Sequence, residues 1–413
     1  MGMTDKEILQ SLGSGESIES ICAIEGNTQE EFQHWWDNQL TVRLPNIDGV
    51  GRVSIESDVE ILRDKWGIPH IYADSDDGLF FGYGYAMAQD RLWQLDYLRR
   101  KSLGRLSEVI GKRGLELDVI ARTVGFNRLV PKEIDKLHDN TMVRLLAFSR
   151  GINAVIEGSK SNLPIEFDLL GYEPDSWSPL DSVAIWREFS WYLTGRLPVI
   201  AIPELAKRTL GDGDRYKAFL KGEAESESII PEGSYARSRS GVLKVGDVVG
   251  DPDEGMGSNN WVVSGERSTT GSPMLASDPH IAFGSVSCWY EVHLCGGGLN
   301  SVGTGYVGMP ALLFGRNESL AWGITNNICS QRDLYQEQTD SDHPGHFMYD
   351  NTWEPARIIT ERIVVKGGDP VDKKVALSRN GPIVDELLPP PAMNTGPVSL
   401  RWMGASGSDE LTC

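Results

Sequence analysis

Apolar positions recur with a helical period over residues 4–42, where Ile8, Leu9 and Leu12 are followed by Ile18, Ile21, Cys22 and Ile24. Thr28-Gln29-Glu30-Glu31 has the form of a capping box ahead of Phe32, Trp35, Trp36 and Leu40. Two or three short helices are predicted here. From Val53 the pattern changes. Val59–Asp64 and Pro69–Ala73 read as strands around a turn at Lys65-Trp66-Gly67. Leu79–Ala86 then leads into a long helix through Gln89, Asp90, Arg91, Trp93 and Leu95 to Leu98. Arg99-Arg100-Lys101 close it, where the helix dipole favours cations. Residues 112–230 are mostly helical by period, with Met142, Leu145, Leu146, Phe148, Ile152 and Val155 on one stripe. Within them Pro164–Trp177 is turn-rich, and Ser182–Leu210 is helical with an aromatic stripe of Trp186, Phe189, Trp191 and Tyr192.

Between about Gly222 and Gly257 the period fades into Gly, Ser, Glu, Asp and Lys, the composition of a loop or linker. Beyond it the chain reads as strand and turn. Trp261-Val262-Val263 suits a strand, Gly265–Gly271 a hairpin turn, and Met274-Leu275-Ala276 the returning strand. Ser258 is therefore expected at the mouth of a buried sheet. Further strands are predicted at Trp289–Leu294, Ala311–Phe314, Leu320–Gly323, Leu334-Tyr335 and Arg357–Val365. The pattern as a whole is a mixed α/β chain, with helices early and strands late.

At 413 residues the chain exceeds what one hydrophobic core usually fills, so two lobes or one large multilayer domain are expected. The net charge of −20 argues against a nucleic-acid partner, whose phosphates it would repel, and suits a solubility surface. That charge also turns the N-terminal helices away from a helix-turn-helix reading and towards a packing extension, with Trp35-Trp36 as a core pair. No apolar run is long enough to span a bilayer. The N-terminus lacks a basic region followed by an apolar core, and the five cysteines are scattered without metal-ligand spacing. A cytoplasmic protein with reduced thiols is the expectation. Gly303-Thr304-Gly305-Tyr306-Val307-Gly308 fits a dinucleotide-binding pattern, but Met309-Pro310 would break the helix that must hold the pyrophosphate.

The chemistry-bearing stretch is Gly255–Val286. Gly255 and Gly257 leave the backbone uncrowded, and Ser258 puts a hydroxyl beside an unshielded carbonyl. A serine hydroxyl needs a base. If the Gly257–Ser258 bond opens, Ser258 gains an α-amino group of reference pKa about 7.7–8.0, and nucleophile and base become one residue. Three ordered blocks carry a resemblance: Gly257-Ser258-Asn259-Asn260-Trp261, Ser277-Asp278-Pro279-His280 and Trp322-Gly323-Ile324-Thr325-Asn326. With Val59–Gly111, they resemble the penicillin acylase family of N-terminal-nucleophile hydrolases, which includes penicillin amidases, cephalosporin acylases and acyl-homoserine-lactone acylases.

The resemblance implies an α+β fold, the four-layer αββα sandwich with two antiparallel sheets inside helical layers. It implies a helical extension at 1–52, an α-chain region at 53–221, a spacer at 222–257, and the N-terminal part of a β chain at 258–413. It implies autocleavage between Gly257 and Ser258, giving two chains from one precursor and a catalytic Ser258 that attacks a small-molecule amide. Asn326 would supply an oxyanion N–H, with Thr325 shaping the turn, and His280 would position the α-amino group. Ile281, Phe314, Ile324 and Ile328 match positions that hold the acyl group, although each could equally be core. The aromatic stripe of 182–210 is likewise either core or one wall of that pocket. No cofactor is needed for the chemistry. A structural calcium is implied at Glu204 and Asp333, weakened by Ser330 where an aspartate is usual. No membrane partner is implied, and many relatives are periplasmic or secreted, which is the alternative location. The second oxyanion donor and an orienting arginine would lie beyond Cys413. The sequence therefore also admits a truncated or degenerate, non-catalytic acylase-like protein that never self-processes.

Overall fold

The computed structural model describes residues 2–45, 50–54, 58–194, 197–220, 257–281, 287–326, 331–388 and 396–406. Three helices come first, α1 (Asp5–Ser14), α2 (Ile18–Glu25) and α3 (Gln29–Thr41). Thr28 caps α3 as its sequence predicts: its hydroxyl accepts from the Glu31 N–H, and the Glu31 carboxylate accepts from the Thr28 N–H at 2.8 Å. Ile8, Ile21, Cys22 and Phe32 bury a small core, against which Trp35 and Trp36 pack. The Trp35 indole N–H donates to Asp5 at 2.9 Å, so this pair is structural. Helix α1 docks on α9 (Ile165–Leu170), a short helix inside the segment expected to be turns. Gly13 is required there, because a Cβ would fall 1.7 Å from the Leu169 carbonyl oxygen. Arg43 fastens the end of the extension by donating to the Leu163 carbonyl at 3.1 Å and to Asp168 at 2.8 Å.

The central helix, α4 (Asp76–Leu103), begins well before Gln89, and its glycine-rich first half is helical. Ser75 caps it by accepting from the Gly78 N–H at 3.1 Å. Glycine propensity alone would not favour this helix. Packing overrides it: Gly84 lies so close to α8 (Asp139–Gly158) that a Cβ would sit 2.1 Å from the Phe148 carbonyl oxygen. Gly151 makes the reciprocal approach to Phe81. The helix is interrupted at Arg91, whose φ of −138° and ψ of 21° are not helical. Between and after these run α5 (Ser107–Ile110), α6 (Leu115–Val124), α7 (Phe126–Ile134), α10 (Pro179–Leu193), α11 (Leu197–Leu210) and α12 (Asp214–Leu220). The expected linker, 222–257, lies outside the described residues except for Gly257, which begins a strand.

The strands are β1 (Val50–Ser54), β2 (Asp58–Arg63), β3 (Pro69–Ala73), β4 (Gly257–Val263), β5 (Met274–His280), β6 (Trp289–Gly296), β7 (Leu299–Tyr306), β8 (Phe314–Arg316) and β9 (Ala321–Trp322). They continue with β10 (Arg332–Gln336), β11 (His346–Tyr349), β12 (Thr352–Pro355), β13 (Arg357–Ile363), β14 (Val371–Leu377) and β15 (Val398–Trp402). Seven form one sheet in the order β1-β2-β3-β6-β7-β8-β9. Its pairs are antiparallel except β3–β6, which run parallel with His70 opposite His293. The remaining described strands pair in twos: β4–β5, β10–β15, β11–β12 and β13–β14. The main core lies between the seven-stranded sheet and α4, α8 and α10, where Ile71, Tyr83, Met87, Phe148, Phe189 and Val292 are buried. A second core joins Phe126 and Trp191 to Leu400 and Trp402.

One expectation is corrected. The β4–β5 hairpin does not lie in a buried sheet, for Trp261 and Val262 are 53% and 68% exposed. Neither of its edges pairs with another described strand.

Candidate active site

Strand pairing sets the geometry around Ser258. In the β4–β5 hairpin Gly257 stands opposite His280 and Ser258 opposite Pro279. Directly opposed residues project to the same face of a sheet, and their neighbours to the other. Ser258, Asn260, Ser277 and Pro279 therefore share one face, while Gly257, Asn259, Asp278 and His280 share the opposite one. The segment after β9 closes on the serine strand. Gly323 is the point of contact, since a Cβ there would lie 3.1 Å from the Asn260 side-chain oxygen and from Ser277. Two residues on, the Thr325 hydroxyl donates to the Ser258 carbonyl at 3.3 Å. Asn326 follows directly, and its side-chain amide is tied back to the Leu193 carbonyl at the end of α10. Ser258 and Thr325, 67 residues apart in sequence, are thus brought together, with Asn326 next along the chain.

His280 is adjacent in a different sense. Its ring Nε2 lies 3.1 Å from an Asp278 carboxylate oxygen and 3.4 Å from the Asn259 amide nitrogen, both on its own face. The imidazole thus points away from the face that carries the Ser258 side chain. What His280 offers Ser258 is its backbone, paired across the hairpin with Gly257.

Pro279, opposite Ser258 in the hairpin, lines a cleft of about 1160 Å³. Phe314, Trp289 and Thr304 line it on one side, Gln89, Asp90 and Arg91 of α4 on another, and Leu44, Pro45 and Trp66 at the rim. The Phe314 and Trp289 rings meet edge to face with centroids 4.9 Å apart. Beneath them Asp90 accepts from Arg63 at 2.8 Å and from the Tyr290 hydroxyl at 2.7 Å. Burial pushes the Tyr290 hydroxyl well above its usual pKa and neighbouring Asp90 raises it further, so it stays a donor. Burial works against the charge on Arg63, but Asp90 and Tyr290 outweigh it and hold that proton more firmly than usual. The cluster is a fixed floor with its charge internally balanced.

Of the four expected acyl-pocket residues, Phe314 lines this cleft. Ile281 packs on the main core, Ile324 is half-buried in the segment beside Ser258, and Ile328 lies outside the described residues. Sequence reasoning passed over Pro279, Trp289, Asp90 and Arg91 as cleft residues. Only the pairing of Ser258 with Pro279 could have signalled the first. The others are gathered by the sheet and the helix packed on it, which leave no local pattern.

Two of the implied calcium positions, Glu204 and Asp333, lie among the described residues. Glu204 on α11 accepts from Arg208 at 3.1 Å, and Asp333 lies exposed on β10. Their elements do meet, because Leu205 and Leu334 both pack on Leu388 and Val398. Ser330 is outside the described residues. Among those described, no three His, Cys, Asp or Glu side chains converge as a metal site, and calcium takes six to eight oxygens. Adjoining Asp333 is Arg332, 4% exposed, which lies 4.3 Å over the Trp191 ring with its Nε and one Nη lacking hydrogen-bond partners among the described residues. Burial alone lowers its pKa to about 10.

The profile of the penicillin amidase family matches residues 58–412. Penicillin acylase 2 proenzyme of Pseudomonas sp. (strain SE83) is 32% identical over 361 residues, covering 84% of this chain and 46% of its own length. Acyl-homoserine lactone acylase QuiP of Pseudomonas aeruginosa is 28% identical, covering 86% of this chain and 43% of its own length. Penicillin G acylase of Escherichia coli is 24% identical, covering 76% of this chain and 44% of its own. The chain thus spans about half the length of the curated relatives it matches. A solved structure of penicillin G acylase from Alcaligenes faecalis is 27% identical over 43% of this chain and 98% of its own, with a TM-score of 0.36, too low to bear on the fold. With the profile covering nearly the whole chain beyond the N-terminal helices, the protein belongs to the penicillin amidase family.

Proposed function

We propose that this chain belongs to an amide hydrolase, an acylase matured by cutting its own backbone between Gly257 and Ser258. In this reading the Ser258 hydroxyl attacks the Gly257 carbonyl, the amide nitrogen departs as the new α-amino group, and water opens the resulting ester. The freed amine then takes the hydroxyl proton as Ser258 attacks a substrate amide. An acyl-enzyme forms as the amine product leaves with that proton, and water releases the carboxylate. The backbone N–H of Asn326 would face the developing oxyanion, held in place by the Thr325 and Leu193 contacts. The acyl group would enter the cleft beyond Pro279 and Phe314, splitting from an amine such as a β-lactam nucleus, a homoserine lactone or an amino acid. One observation supports this reading: Pro279, the residue paired with Ser258 across the hairpin, lines a cleft of about 1160 Å³ while a distant threonine clasps the Ser258 carbonyl.

The same proposal holds residues 53–221 and 258–413 as parts of two processed chains, with 222–257 as the spacer and the four-layer αββα sandwich as the complete architecture. Intact-mass and N-terminal analysis of the purified protein tests it. The expected result is a new N-terminus at Ser258 together with amide hydrolysis, both abolished in Ser258→Ala. A single uncut chain that hydrolyses amides at full rate would overturn it. The uncovered apolar residues of the hairpin favour a second reading for this chain by itself, an inert acylase-like protein. An uncut chain without activity, unchanged by Ser258→Ala, is its signature.

A further inference from the structure

A titratable cluster lies away from the serine hairpin, on the face of the seven-stranded sheet opposite its core residues Ile71 and Val292. Strand pairing puts His70 of β3, His293 of β6, Val302 of β7 and Arg316 of β8 in one row on that face. The Nδ1 atoms of His70 and His293 are 3.0 Å apart. Their ring centroids are 5.2 Å apart, close to that distance plus the reach of each ring, so the two nitrogens meet almost head-on. The other ring nitrogens have neighbours too. His293 Nε2 lies 3.0 Å from the Asn300 side-chain oxygen, and the Asn300 amide donates to Glu318 at 2.8 Å. His70 Nε2 lies 3.6 Å from an Asp64 carboxylate oxygen, an ion-pair distance. Desolvation works against the charge on Asp64, but the Trp66 and Ile68 N–H groups and His70 outweigh it and hold its carboxyl below the usual range.

These partners fix the proton count. Asn300 gives its amide to Glu318 and turns its oxygen to His293, so His293 Nε2 carries a hydrogen and, in a neutral ring, Nδ1 is bare. A neutral His70 then has two arrangements. With its hydrogen on Nε2, two lone pairs oppose each other at 3.0 Å. With it on Nδ1, a bare nitrogen faces the Asp64 carboxylate. Each sets acceptor against acceptor. One further proton removes both conflicts, because an imidazolium at His70 donates from Nδ1 to His293 and presents Nε2–H to Asp64. A fourth hydrogen, on His293 Nδ1, would set two N–H groups head-on.

We infer that His70 and His293 together hold three hydrogens on their four ring nitrogens, a shared-proton clasp that joins the strand before Ser258 to the strand after it and makes this junction sensitive to pH. The other titratable or charged residues that the pairing places on this face are Glu60 on β2, Tyr72 on β3, Glu291 and Cys295 on β6, and Arg316 on β8. With Asp64 and Glu318, carboxylates outnumber the one guanidinium, which suits a protonated ring. Both rings, Asn300 and Glu318 line a cavity of about 330 Å³, through which the proton exchanges with solvent. The folded pair keeps one proton that unfolded histidines release above about pH 6.5, so its stabilisation declines as pH rises. It refuses one that unfolded histidines accept below that value, so the stabilisation declines again in acid. Neither step uses Ser258, and the clasp stands or falls independently of the proposed hydrolysis.

The count is tested on the full-length protein with nitrogen-15-labelled histidine. At about pH 7, long-range proton–nitrogen spectra should show three ring hydrogens across the pair and a nitrogen–nitrogen coupling through the hydrogen bond between the two Nδ1 atoms. Two ring hydrogens, four, or no such coupling would overturn the clasp. This arm needs no variant. The pH dependence is read from thermal melts of the wild type and His293→Gln. The variant should melt at least about 3 °C lower near pH 6.5, and the difference should shrink by more than about half at pH 9. An equal loss at both values would mean that the rings act by packing alone, and would also overturn it.

Discussion

Around Ser258 the decisive fact is which way side chains alternate. His280 is opposite Gly257, so its ring shares a face with Asp278 and Asn259 and not with the Ser258 hydroxyl. Because the His280 ring lies on the face away from the Ser258 hydroxyl, His280→Ala should still self-process, slowed by less than about tenfold, or about 1.4 kcal/mol, whereas Ser258→Ala should not process at all. Intact mass against time reads both. The pH profile follows from the same amine: kcat/KM should rise as that group deprotonates, around pH 7–8, because only its neutral form accepts the hydroxyl proton. A flat profile from pH 6 to 9 would remove the amine as base. Arg332 calls for the opposite kind of test. A buried guanidinium with unpaired donors is a desolvation cost that its stacking on Trp191 only partly offsets. Arg332→Met should therefore leave the free energy of unfolding unchanged or raise it, by up to about 2 kcal/mol. A clear loss of stability would mean that the cation has an anionic partner beyond the described residues.

Between elements, the close crossing of α4 and α8 is the most exacting contact. Gly84→Ala would drive a methyl group into the Phe148 carbonyl and should cost at least about 2 kcal/mol in denaturant unfolding. Gly158→Ala, at the end of α8 with nothing within 4 Å of the new methyl, should be neutral or slightly stabilising. This crossing also shows what the sequence could and could not convey. The period of Met142–Val155 marks α8, and the capping box at Thr28 marks α3, because each signal is local. The glycines of Gly82-Tyr83-Gly84 hide the first half of α4, since helical propensity is read locally and the contact that overrides it comes from residue 148. In the same way Gly257-Ser258 and Trp322–Asn326 announce themselves as motifs, whereas Leu44, Trp66 and Asp90 acquire a shared cleft only when the sheet assembles. The exposed hairpin reverses the case. Its alternation reads as buried because Trp261 and Val262 are apolar, but burial needs a covering partner that no local pattern can report.

Across the whole molecule, an ionic cluster is among the contacts that link its late strands to its early helices. Glu361 on β13 accepts from Arg122 at 3.0 Å, from Asn127 at 3.1 Å and from Arg128, on α6 and α7. Burial alone would raise its pKa, but Arg128, Asn127 and Arg122 outweigh it and hold the carboxyl below its usual value near 4.5. A lowered folded pKa means that the stabilisation is present above the unfolded value and is lost as pH falls through the folded one. Wild-type protein should therefore lose stability below about pH 4.5 more steeply than Glu361→Gln, as followed by thermal melts across pH 3–6. The donor set near Glu204 and Asp333 gives a complementary expectation: neither calcium nor a chelator should shift the melting temperature by more than about 1 °C.

The parallel pair of β3 and β6 carries a last consequence. Strands β1–β3 precede Ser258 and β6–β9 follow it, yet they share one sheet and one core. Severing the backbone at Gly257 would change which ends exist without releasing either half, since each supplies strands that the other has no means to replace. Residues up to 220 emerging from the ribosome would leave β3 with an open edge until β6 is made, so the backbone cutting proposed above would be expected to follow assembly. The two halves, expressed separately and mixed, would each need its counterpart to become ordered.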